Sequence, residues 1–261
     1  MEDRDFLAFI HKIREVTGID LSQYKETQMK RRLTTLRLKR GYPSFASYYE
    51  AIMKDSEMFR EFLDRITINV SEFWRNRNRW ETLAERFIPE MMKVSGKRLK
   101  CWSAACSTGE EPYTLAMILM EKGALPGSTI IASDLDEGAL ARAKEGVYNE
   151  RSVRDVPESY LRKYFQKVGA NYVISDLLKP HIRFERKNLL ADPFENHFDL
   201  IICRNVMIYF TDDAKHRLVQ QFADALRPGG ILFVGSTEQI FSPGRYGLSS
   251  ADTFFYRKTG A

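Results

Sequence analysis

Cysteine and histidine are scarce in this chain of 261 residues. Its three cysteines, Cys101, Cys106 and Cys203, are odd in number and form no CxxC pair. That spacing argues against a disulfide framework or a zinc site, and reduced thiols in a cytoplasmic protein are expected. The four histidines (His11, His181, His197 and His216) are scattered without an HExxH-like pair, so no metal is expected. No segment approaches the roughly 18 apolar residues that a membrane span needs, and direct membrane insertion is not expected. The charged start, Met1 to Asp5, runs straight into an amphipathic pattern, which does not fit a signal peptide. Internal repeats, low-complexity tracts and coiled-coil heptads are also missing, and a monomer is expected.

What is present is ordinary for a soluble globular chain, 44% hydrophobic and 29% charged, with a net charge of +5. The length suits an α/β domain plus a smaller module. Up to about residue 75 the apolar period is helical. Phe6, Phe9, Ile10 and Ile13 recur along one helix that Gly18 ends. A second helix over Lys25–Arg40 carries the stripe Met29, Leu33 and Leu36 and stops at Gly41. Ser44 is placed to cap a third, and a fourth runs from about Glu57 to Ile66. From about residue 97, short apolar strands alternate with helices. The strands are Leu99–Ser103, Ser128–Ser133, Ile182–Glu185, Phe198–Cys203 and Gly230–Gly235, with Thr253–Arg257 as an antiparallel edge. This alternation predicts a doubly wound, mainly parallel Rossmann-like sheet over 76–261, joined to a helical domain, 1–75, by a linker at about 67–80. A small β insertion is expected at about 166–186, with Asn171–Ile174 as one of its strands.

Three segments fall at strand ends on one rim of such a sheet. The first turn, Trp102-Ser-Ala-Ala-Cys-Ser-Thr-Gly-Glu-Glu-Pro112, has one glycine, Gly109, where a dinucleotide fold wants GxGxxG. Two acids follow, which repel phosphate and suit a cationic ligand. S-adenosylmethionine has a sulfonium and an ammonium and no phosphate. Standing alone, the turn reads as an ordinary strand–helix connection with solvated glutamates. Asp134, at the end of the second strand, can accept from a ribose diol; Asp136 can do the same, or either can cap the next helix. With both segments together the ligand reading is the better one. The third segment, Cys203-Arg-Asn-Val-Met-Ile-Tyr-Phe210, delivers Arg204, Asn205 and Tyr209 to that rim. It lacks the Pro-Pro-Tyr-type motif of base-amino methylases, which counts against nucleic acid as substrate.

These segments, with the linker Asn69-Val-Ser-Glu-Phe-Trp-Arg75 and Asn188-Leu-Leu190, resemble the chemotaxis receptor methyltransferase family, CheR, over essentially the whole chain. Ser71 stands where threonine is common and Trp74 where phenylalanine is frequent. The resemblance implies that Asn69, Ser71, Arg75, Glu111, Asp134, Asn188, Leu189, Arg204 and Asn205 line an S-adenosylmethionine site. Arg75 and Tyr209 are then the residues nearest the chemistry, Tyr209 close to the transferred methyl. The implied reaction esterifies glutamate side chains of chemoreceptors for sensory adaptation, releasing S-adenosylhomocysteine. The implied partner is the cytoplasmic helical domain of methyl-accepting receptors, met by the cations Lys30, Arg31, Arg32, Arg37, Lys39 and Arg40 of the second helix. Such a cationic run by itself reads as a solvated helix face. The rival readings are an RNA or other protein methyltransferase of the same fold and a non-catalytic S-adenosylmethionine-binding adaptor.

Overall fold

The computed structural model describes residues 2–67 and 71–260; Asn69 lies outside them. The chain begins with four helices, α1 (Glu2–Thr17), α2 (Glu26–Lys39), α3 (Phe45–Ile52) and α4 (Ser56–Thr67). Their apolar stripes meet in one core, in which the Phe9 ring lies 5.2 Å from Phe45 and 5.9 Å from Phe62. Gly18, at φ +72°, turns the chain out of α1 while its N–H donates to the Arg14 carbonyl. Ser44 caps α3 in a reciprocal pair with Ser47.

The connecting helices α5 (Arg77–Thr82) and α6 (Ile88–Ser95) are joined without a break by a π-helical turn over Leu83–Phe87. Helix therefore begins inside the stretch expected to be linker. There follow β1 (Lys100–Ala104), α7 (Glu110–Glu121), β2 (Thr129–Asp134), α8 (Glu137–Glu145), β3 (Val147–Asn149), α9 (Glu150–Val153) and α10 (Glu158–Tyr164). The remaining elements are β4 (Phe165–Val168), β5 (Asn171–Ile174), β6 (Ile182–Arg186), β7 (Phe198–Cys203), α11 (Asp212–Ala225), β8 (Leu226–Val234), β9 (Leu248–Asp252) and β10 (Phe255–Lys258).

Among the described residues, seven strands form one sheet in the order β6-β2-β1-β7-β8-β10-β9. The first five run parallel, and β10 and β9 are antiparallel additions. Every residue of β7 is buried, as a central strand covered by helices on both faces must be. The register pairs Ala104 with both Ser133 and Cys203, so β1, β2 and β7 end level with one another. That shared ending makes the rim on which the motifs meet.

Three expectations are corrected. The antiparallel strand near Phe255 is not the edge, because β9 pairs outside it. Residues 182–186 belong to the main sheet, beside β2, rather than to the insertion. The small sheet takes its third strand, β3, from before the expected insertion, in the order β3-β5-β4.

Candidate functional site

Two adjoining cavities open at the rim and share Thr67, Ala105, Asp134 and Val206, so they form one cleft. Ser71, Arg75, Glu111, Arg204 and Asn205 line its first half, and Asn188, Leu189 and Tyr209 its second. All the expected site residues within the described chain, apart from the surface cations, thus converge here. A larger cavity on the other side of the Met207–Tyr209 turn is lined by none of them.

The first turn is tightly wound. Ala105 and Ser107 have φ of +61° and +49°, and such left-handed non-glycine residues cluster where a site over-determines the backbone. Gly109 has no alternative, since a Cβ there would lie 2.9 Å from the Ala143 Cβ. Asp134 holds this turn: its Oδ2 accepts the Ser107 N–H at 2.8 Å and its Oδ1 the Asp136 N–H at 3.0 Å. A carboxylate accepts about four bonds, so Asp134 keeps capacity for a ligand. Asp136 instead caps α8 through Gly138 and Ala139 and does not line the cleft. The two acids, equivalent in the sequence, are therefore separated. Burial pushes the Asp134 carboxyl above its usual range, against the N–H bonds that lower it.

Glu111 sits on the first turn of α7, its Oε1 accepting the Ser103 hydroxyl at 2.8 Å. Burial raises its pKa to about 7, although Arg204 pulls the other way. The Arg204 guanidinium is 3.7 Å from Glu111 Oε2, too long for a hydrogen bond. Its Nη2 is committed elsewhere, donating to the Arg75 carbonyl at 2.8 Å and to Asn76 Oδ1 at 2.9 Å. The rings of Phe233 and Trp80 lie 4.8 and 5.5 Å from it, and its Nε is buried without a partner. Arg204 thus clamps the linker to the sheet. Arg75, half-buried, brings a second guanidinium to the cleft. Phe73 and Trp74 anchor the same linker, packing 4.7 Å from Tyr148 and 4.8 Å from Tyr160.

The second half of the cleft is roofed by the helical module. The Tyr209 carbonyl accepts the Lys25 N–H at 2.8 Å, Thr211 donates to the Gln23 carbonyl, and Tyr24 and Phe210 form an isolated antiparallel bridge. The Arg32 guanidinium stacks over the Tyr209 ring at 4.7 Å. The five cations of α2 and Arg40 at its C-cap are consequently not one surface. Arg37 is corrected: it is buried, donates to the Tyr42 carbonyl at 3.0 Å and lies 4.9 Å from the Phe45 ring. Arg40 is tied to Glu61 at 2.6 Å with Lys39 nearby, Lys30 is half-buried beside Phe6, and Arg31 is exposed. Motif reading missed Glu238, whose buried carboxylate accepts the N–H groups of Asn205, Val206 and Met207. The one signal for it was an acid just beyond the tip of a buried strand.

Residues 4–67 match the family described as CheR methyltransferase, all-alpha domain, and residues 69–255 match CheR methyltransferase, SAM binding domain. The chain is 44% identical over 257 residues to a chemotaxis protein methyltransferase of Listeria innocua, with 98% of each chain covered. It is 32% identical over 248 residues to chemotaxis protein methyltransferase 2 of Vibrio cholerae, covering 91% of this chain and 86% of that one. Among solved structures, a TehB-like SAM-dependent methyltransferase from Corynebacterium glutamicum overlaps 70% of this chain and 93% of its own, at 18% identity and a TM-score of 0.38. Family matches over both modules, with this identity along nearly the full length, place the chain in the CheR methyltransferase family as an S-adenosylmethionine-dependent chemotaxis protein methyltransferase.

Proposed function

We propose that the enzyme methylates glutamate side chains in the cytoplasmic helical domain of chemoreceptors, and that it works as a cytoplasmic monomer. The observation that carries the cofactor part of this reading is the acidic cleft around Glu111 and Asp134. A carboxyl raised to about 7 by burial is one whose cation is only half supplied by the protein. The ammonium of S-adenosylmethionine fits that deficit. The spare acceptor capacity of Asp134 suits ribose hydroxyls, and Asn188 and Leu189 border the space left for the base. Arg204 gives its Nη2 to the linker, so the cofactor carboxylate falls to Arg75. Bound S-adenosylmethionine supplies an electrophilic methyl group on a sulfonium.

The protein's part in the chemistry is orientation and exclusion of water. A free glutamate side chain has a pKa of about 4.3 and is ionised at neutral pH, so no general base is required. A guanidinium gripping the nucleophile would stabilise the ground state and slow transfer. The stacking of Arg32 on Tyr209 instead keeps that cation at the mouth, where it draws an acidic side chain inward. Exposed Arg31, with Lys30 and Lys39 on the same helix and Arg40 at its C-cap, supplies the docking charge; Arg37 has no share in it.

Methyl-labelled cofactor and a receptor cytoplasmic fragment test the reading. Glutamyl methyl esters release labelled methanol in mild base, whereas N-methyl groups survive. Base-stable label, or label taken up by RNA alone, would reject the substrate. Asp134→Ala is expected to weaken S-adenosylhomocysteine binding about tenfold by calorimetry, as loss of a charged acceptor should. Unchanged affinity would remove the ribose role.

A further inference from the structure

Glu238 lies in Gly235-Ser236-Thr237-Glu238, directly after β8, and lines neither half of the cleft. Its carboxylate is nonetheless the most heavily bonded group at the rim. Oε1 accepts the N–H groups of Val206 at 2.9 Å and Met207 at 2.7 Å. Oε2 accepts those of Asn205 at 2.5 Å and Gly235 at 2.9 Å. The Glu238 N–H closes the loop by donating to the Gly235 carbonyl at 3.0 Å. These donors come from the tips of two neighbouring strands, β7 and β8, whose last paired residues are Cys203 and Val234.

Two further observations show that the notch is built around this side chain. Asn205 is held at φ +61°, a left-handed conformation that turns the chain out of β7 and into the cleft. A Cβ on Gly235 would fall 2.3 Å from Glu238 Oε2 and 2.9 Å from the Asn205 nitrogen. Only glycine lets the strand tips close on the carboxylate. The residues so bonded run straight into the Met207–Tyr209 turn that carries Tyr209.

We infer that Glu238 is a positioning residue for methyl transfer: its carboxylate fixes Asn205 and, through the following turn, Tyr209, without itself touching either reactant. The inference rests on the cleft being the cofactor site. Glu238 acts as an anion-shaped mould for four main-chain dipoles, and a neutral amide cannot replace it. Glutamine keeps one acceptor oxygen and turns an NH2 group toward two N–H donors.

The test compares E238Q and E238D with the wild-type protein by melting temperature, S-adenosylhomocysteine affinity, kcat and receptor KM. E238Q is expected to lose about 100-fold in kcat, the scale of a misplacement of about 1 Å, and about tenfold in S-adenosylhomocysteine affinity. Receptor KM should stay unchanged, because the docking cations lie on α2. E238D keeps both acceptors but falls a methylene short, so its losses should lie between those of the wild type and E238Q. Folded E238Q with wild-type kcat and affinity would overturn the inference. If E238Q does not fold, E238D decides alone: wild-type kcat overturns it, and a reduced kcat at unchanged receptor KM supports it. Asp134→Ala separates the two claims. If that variant binds normally, the cleft reading fails; if it binds weakly while both Glu238 variants behave as wild type, only the role of Glu238 fails.

Discussion

The two ends of the central sheet treat a buried carboxylate in opposite ways. At the amino end of β7, Asp199 accepts the Ser95 hydroxyl at 2.5 Å and the Lys100 N–H at 2.8 Å, and it pairs with Arg227 at 2.5 Å. Its charge is met within the protein. At the carboxyl ends of the strands, Glu111, Asp134 and Glu238 are also buried, yet all three carboxyls are raised in pKa by that burial. Glu238 and Asp134 are held by main-chain N–H groups, and Glu111 stands 3.7 Å from a guanidinium engaged with the linker. The lower end pairs its carboxylate with a guanidinium, whereas the upper end holds carboxyls that burial makes reluctant to ionise.

Breaking the lower end has the largest expected effect. Asp199→Ala leaves Arg227 without its partner and should cost about 3–5 kcal/mol in a denaturant melt, with S-adenosylhomocysteine affinity of the folded protein unchanged. An affinity loss without a stability loss would erase the contrast between the ends. Asp134→Ala should lose about 1.4 kcal/mol of binding for its tenfold effect, read by calorimetry.

The acidity of Glu111 sharpens the comparison further. Its carboxyl holds a proton up to about pH 7 in the free enzyme, and a bound ammonium favours the ionised form. Binding below pH 7 therefore releases a proton, so affinity should fall as pH drops from 7 toward 6, by up to about tenfold per unit. Affinity should level off just above 7. Glu111→Gln should flatten this profile, and a wild-type slope in that variant would assign the proton to another group. The smallest effect belongs to the surface. Arg31→Glu should slow receptor methylation a few-fold at low salt and converge with the wild type as salt screens the field. Arg37→Glu should instead lower the melting temperature, because that side chain is buried against Phe45.

Strands buried on both faces were legible, because β1, β2, β7 and β8 read as short apolar runs between turns. Leu248-Ser-Ser-Ala-Asp252 was not legible as a strand. It is a largely polar edge whose pairing with β10 depends on where that strand has been brought. The three-residue β3 and the π-helical turn over Leu83–Phe87 were hidden for the same reason: each depends on its neighbours rather than on its own composition. Within the site, the residues that carry motifs were visible as side-chain types at fixed spacing. Glu238 was not, since what it holds is main-chain N–H, which has no letter of its own.

By itself, the sequence determined the order of elements, the faces they bury and the chemical types delivered to the strand tips, because hydrophobic period and turn chemistry are local properties. Which acid faces the cleft and which caps a helix was decided only in three dimensions, where Asp134 turns to the cleft and Asp136 to Gly138 and Ala139. The same holds for the cations of α2, where packing sends Arg37 inward, sets Arg32 on Tyr209 and leaves Arg31 in solvent. Burial and partner geometry set the charge and reach of an ionisable group, and both arise from elements far apart in the chain.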